Sequence, residues 1–176
     1  QFLPDEIPLI MGPVSPDGTQ AIFATPDLGV GVNRVGFVLT SPSGLVRAPA
    51  ASVTSFFSPG EESEGELKQR ALAVFRPWPY GTRGLYTAHL TFDRPGRWRL
   101  EVSALDPEGA SRSAKLFFEV KEVPFAPGVG SASIRSENRT IRDVERTSQL
   151  STGSLQDPEL YQMAIAEAVK SGLPTV

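Results

Sequence analysis

The chain has 176 residues, with 17 Lys and Arg against 20 Asp and Glu, a net charge of −3 and no cysteine. That composition excludes a disulfide framework, a thiolate nucleophile and a Cys-based metal site, and the scattered Lys and Arg form no basic stripe of the kind that binds nucleic acid. Gly and Pro, 16 each, demand many turns and short elements, which favours an all-β domain over a helical one.

Residues 1–6 read as an irregular lead-in. Ile7–Met11 is predicted as a first edge strand, ended by Gly12-Pro13. Gln20–Thr25 and Asn33–Thr40 follow as strands, the second with Val35, Phe37 and Leu39 alternating against Arg34, Gly36 and Val38. Ser41-Pro42-Ser43-Gly44 turns the chain and Ala51–Phe57 returns it. Ser58–Glu66, with Glu61, Glu62, Glu64 and Glu66, reads as a solvated acidic loop without the residue pattern of a calcium loop. Leu67–Phe75 fits either a strand around Ala71–Phe75 or a helical turn. No apolar run approaches the roughly 20 residues of a membrane-spanning helix.

The clearest signal is Gly84–Val102. Tyr86, Ala88, Leu90 and Phe92 share one face, and Thr87, His89, Thr91 and Asp93 the other. Trp98, Leu100, Val102 and Ala104 repeat the pattern after Arg94-Pro95-Gly96-Arg97. A period of two with one apolar face marks half-buried antiparallel strands. Pro then Gly suits a type II turn, which fits a corner between two sheets better than a tight hairpin tip. Asp106-Pro107-Glu108-Gly109 is a further turn, Lys115–Val120 is the last strand, and Arg97–Leu105 and Ser113–Val120 are expected to form a hairpin across that turn.

Seven or eight short strands over residues 7–122 predict an immunoglobulin- or fibronectin-like β-sandwich with a C-terminal linker and helical extension. Phe23, Phe37, Phe56, Phe92, Trp98, Leu100, Val102 and Phe118 are the candidate core. Residues 123–156 read as linker and irregular chain, with a short helix over Thr140–Arg146 capped by Thr140. Residues 157–176 read as a helix to about Ser171, with Asp157 as N-cap, Pro158 at the first position and Gly172 as its stop. Its stripe of Leu160, Tyr161, Ala164, Ile165, Ala168 and Val169 needs a partner surface, either the sandwich or a second copy.

Few residues suggest chemistry. Trp78 and Tyr80, in the Pro-rich loop Arg76–Gly84, are the candidate binding residues. They form either an exposed aromatic platform or a cap on one end of the core. His89, Met11 and Met163 are scattered, so no metal site is expected, and no cofactor is implied. Arg97, Arg99 and Glu101 read as a solvent-facing ladder. Asn138-Arg139-Thr140 fits a glycosylation acceptor, relevant only in a eukaryotic secreted chain. No nucleophile elbow or triad spacing occurs.

Residues Asn33–Thr40, Tyr86–Phe92 and Pro95–Val102 resemble bacterial extracytoplasmic Ig-like domains of the YtkA-like and copper-resistance type, over roughly Ile7–Val120. Copper-binding relatives use His and Met clusters that this chain lacks. Pro124–Val176, with Ser136–Thr140 and Lys170–Val176, resembles the opening segment of a thioredoxin-like domain whose redox motif would follow. The resemblance implies a piece of a longer protein. It also implies an extracytoplasmic location, periplasmic or at the cell surface, with a tether through a removed N-terminal segment as one option. The expected role is a non-catalytic module that positions a thioredoxin-like domain or binds a protein partner. The alternatives are a copper-handling accessory domain and a carbohydrate-binding module. Self-association through the C-terminal helix is a further expectation.

Overall fold

A computed structural model describes residues 9–60, 64–79, 81–128, 130–132, 134–154 and 157–172. The chain divides into two units, residues 1–126 and 127–176. The first holds strands β1 (Gln20–Phe23), β2 (Gly31–Ser41), β3 (Gly44–Leu45), β4 (Ala50–Phe57), β5 (Glu66–Pro77), β6 (Gly84–Phe92), β7 (Gly96–Leu105) and β8 (Ser111–Val120). All pair antiparallel in the order β1-β2-β6-β5-β4-β7-β8, with β3 beside β2. Layer β1-β2-β6 faces layer β4-β7-β8, and β5 pairs with both β4 and β6. The sheet therefore wraps almost into a barrel-like sandwich, as the alternating pattern predicts.

Consecutive strands β6 and β7 do not pair. β6 lies between β2 and β5, and β7 between β4 and β8. Pro95-Gly96 is thus a corner between layers, where Gly96 takes a φ of 118° that a side chain would strain. β7 and β8 form the hairpin, register Trp98↔Phe118 and Leu100↔Leu116. Asp106 at its tip is buried. That burial pushes its carboxyl up, but the Ala110 N–H at 2.7 Å and the Arg112 guanidinium at 2.9 Å hold it low overall.

The core follows the alternation. Trp98 meets Phe92 edge-on at 4.8 Å and Phe57 at 5.6 Å, and its indole N–H donates to Arg94 O at 3.1 Å. Phe23 stacks on Phe118 at 5.0 Å, and Phe37 on Tyr86 at 5.4 Å. Seven of the eight expected core residues are buried. Phe56 is the exception. Ala51, Val53 and Ser55 set the inward phase of β4, so Phe57 continues it and Phe56 faces out, under the Arg99 guanidinium at 4.5 Å.

The gap between β1 and β8 is bridged at two places. Ile10–Gly12 pairs with β1 through Phe23 N–H to Ile10 O (2.8 Å) and Gly12 N–H to Ala21 O (2.9 Å), and Ser15 Oγ donates to Ser113 O at 2.7 Å. Gly12 lies so close to β8 that a Cβ there would fall 1.7 Å from Lys115 O. Among the described residues of the predicted strand Ile7–Met11, Met11 forms a single bridge to Ile22 and no longer strand forms; residues 7 and 8 lie outside the described residues. The second closure runs parallel: Lys121 N–H donates to Leu28 O (2.9 Å) and Val30 N–H to Lys121 O (3.0 Å).

Asp27 fixes this second closure. Its carboxylate accepts from Lys121 Nζ at 2.8 Å and from Ala126 N–H at 2.7 Å. Those bonds, the lysine's first, hold its pKa at about 2 against an ordinary 3.8. A pKa lowered by folding contributes stability that is complete above the unfolded value and is lost as pH falls through the folded one. Stability should therefore drop between about pH 4 and pH 2, by no more than about 1 kcal/mol for so accessible a pair. Asp27→Asn should lose that component and show a shallower acid slope in urea titrations. Equal slopes would remove the assignment.

The second unit has short elements: 3₁₀ turns at Ile141–Asp143, Thr147–Gln149 and Pro158–Tyr161, then helix α1 (Ile165–Ser171). Thr140 caps the first turn as expected: its Oγ1 accepts from the Arg142 N–H at 3.3 Å, and its own N–H donates to Asp143 Oδ2 at 2.8 Å. Asp157 accepts from Glu159 N–H at 3.0 Å, with Pro158 at the first position. The expected continuous helix is broken, however. Ala164 is extended, with φ −71° and ψ 150°. Asn138 Oδ1 accepts Ile165 N–H at 2.8 Å and Ser136 O accepts Ala166 N–H at 3.0 Å. A distant segment thus caps a fresh helix start that the local sequence does not signal.

Candidate functional site

The β5–β6 hairpin projects the candidate contact residues. At its base Phe75 turns inward, edge-on to Tyr86 at 5.2 Å, and its ring crosses Gly84. Phe75 N–H donates to Pro49 O at 3.0 Å, tying the base to the loop before β4. Trp78 N–H donates to Arg83 O at 3.0 Å, which extends the ladder one residue beyond Pro77↔Gly84. From this footing Trp78 is 49% exposed. Tyr80 lies outside the described residues.

Trp78 continues an outward row that sequence reasoning missed. Leu72, Val74 and Arg76 are exposed on the outer face of β5, alternating with inward Ala71, Ala73 and Phe75. Two strands away Leu105 is 65% exposed on β7. Between Leu72 and Leu105, β4 presents the short side chains of Ala50 and Ser52. Ser52 lies opposite both Leu72 and Ser103. Tall side chains over a floor of short ones leave a shallow trough of about 340 Å³, lined also by Pro49 and Ser111. Six residues of extended chain separate Leu72 from Trp78, so the exposed apolar row is about 20 Å long.

A second depression of about 340 Å³ lies on the outer face of β2 and β6, floored by Gly36 and lined by Arg34, Leu85 and Thr87 with Ala24 and Thr25. His89 is exposed there, opposite Arg34. A third, near the corner, is lined by Ser58, Gly60, Arg97, Trp98 and Phe117. The ladder Arg99, Glu101 and Lys115 lies on the outer face of β7 and β8, with ion pairs of 3.3 and 3.5 Å.

No group of three His, Cys, Asp or Glu able to hold a metal ion occurs among the described residues, and no described helix is long and apolar enough to cross a membrane. Met11 and His89 lie on separate strands' surroundings, and Met163 belongs to the second unit. Chemically, the hairpin and its neighbouring faces offer an aromatic, aliphatic and cationic surface for contact. Comparison with protein-family models, curated proteins and solved structures finds no match for this chain.

Proposed function

We propose that the chain is a non-catalytic, extracytoplasmic Ig-like module that binds a protein partner through the outer end of the β5–β6 hairpin. The observation that carries this reading is Trp78, half exposed at the end of a row that also exposes Leu72 and Val74. Large apolar side chains aligned on one exposed face suit a protein interface, where aromatic anchors carry much of the affinity. Tyr80 is assigned to the same contact on its place in the loop. The extracytoplasmic location, and a role in positioning a thioredoxin-like domain, rest on the sequence resemblances alone.

The test is affinity capture of envelope proteins on the immobilised chain, compared with the Trp78→Ala variant. A captured protein should be lost, or its Kd raised at least about tenfold, when Trp78 is truncated. Unchanged capture, or quenching of tryptophan fluorescence by oligosaccharides without any protein bound, would reject the reading.

A further inference from the structure

Most cations on the outer faces of the strands fall into two sets. On the outer face of β7 and β8 and at the nearby closures they are paired: Arg99 and Lys115 with Glu101, Arg112 with Asp106, and Lys121 with Asp27. At the lower end of β5, Lys68 pairs with Glu66 and Asp93, both at 2.9 Å. On the outer face of β2, β6 and β5 the arrangement differs. Arg34 on β2, Arg70 and Arg76 on β5, and Arg83 just before β6 are exposed and have no ion-pair partner among the described residues. His89 lies beside Arg34. Leu72 and Val74 sit between Arg70 and Arg76 on one strand, and Gly36 is among the residues lining the depression beside Arg34.

From this we infer that the outer face of β2, β6 and β5 docks an acidic protein segment carrying aliphatic side chains. The inference rests on the protein-binding reading above and names the partner's chemistry. A chain of net charge −3 that leaves four arginines of one face unneutralised presents a local positive potential to an acidic partner. The interleaved Leu72, Val74 and Trp78 select a protein over a bare polyanion. A nucleic acid or sulfated polysaccharide would gain from the arginines but not from exposed leucine and valine. Arginine's planar fork suits carboxylates at such a surface.

The probe is a fluorescein-labelled peptide of about twelve residues alternating Glu and Leu, titrated against the whole chain by anisotropy. Saturable binding is expected, weakened by salt. Arg34→Glu with Arg76→Glu should raise Kd at least about tenfold, and Leu72→Ser with Val74→Ser should do the same, while Lys115→Glu on the opposite face stays within about twofold. All are exposed positions, and circular dichroism confirms each variant's fold. Three results would overturn the inference: no saturable binding; heparin or single-stranded DNA binding more tightly, with the Leu72/Val74 variant unaffected; or a concentration-dependent dimer that Arg34→Glu with Arg76→Glu dissolves, which would make a second copy the occupant. If the peptide fails while Trp78→Ala still abolishes protein capture, the acidic chemistry falls and the protein-binding reading stands.

Discussion

Trp98→Ala is expected to cost about 4 kcal/mol, close to the limit for a single core truncation. Trp98 is 1% exposed and joins Phe92, Phe57 and the Arg94 carbonyl, so it holds the corner at which the chain passes between layers. Losing it removes both packing and the indole bond that fixes the Pro95-Gly96 turn. Urea denaturation measures the loss. Fluorescence provides a second readout, because Trp78 is then the remaining tryptophan. Emission from the variant should shift to the red and quench readily with acrylamide, as expected of a half-exposed ring. A loss below about 1 kcal/mol would show that Trp98 is not the anchor of this core.

Gly12→Ala should cost about 3 kcal/mol, an overpacking penalty at the high end because the obstacle is backbone. The new methyl would land on Lys115 O, so either the Ile10–Gly12 segment or β8 must move. The expected signature is local. Amide exchange at Gly12 and Phe23, whose bonds to Ala21 and Ile10 form this closure, should accelerate more than exchange in β7. Gly60→Ala is the control. Nothing lies within 4 Å of its added Cβ, so its effect should stay within about 0.5 kcal/mol. Similar losses for both variants would mean that the close approach at Gly12 carries no weight.

The sequence was most legible where one face of a strand is apolar and the other polar. β2, β6, β7 and β8 show that period, and their inward residues are those the pattern names. β5 was ambiguous between strand and helical turn because Leu72 and Val74 make its outer face apolar too. The blurred alternation was itself the mark of the exposed row. The two adjacent phenylalanines of β4 show the converse. Only one can face the core, and Ser55, in phase with Val53, assigns that place to Phe57. The break before α1 was not readable, since its cap comes from Asn138, 27 residues upstream.

The cationic face was equally hidden. Arg34 and Arg76 are far apart along the chain and join only because β6 lies between β2 and β5. Trp78 could be singled out by its setting among prolines, but its exposure depended on Phe75 and Gly84 fixing the hairpin base.

The two closures between β1 and β8 bear on how such a module can change over time. A partner that adds its own strand to a free edge draws its affinity mostly from backbone hydrogen bonds. Here Ile10–Ser15 and Leu28–Val30 occupy the gap at which a strand would add. On the proposed reading, contact then falls to side chains standing on the outside of the sheet, none of which the core requires. Leu72, Arg76 and Trp78 are exposed and Trp98 is buried, so under the proposed function substitutions at the outer row would alter affinity without disturbing Trp98 and its neighbours.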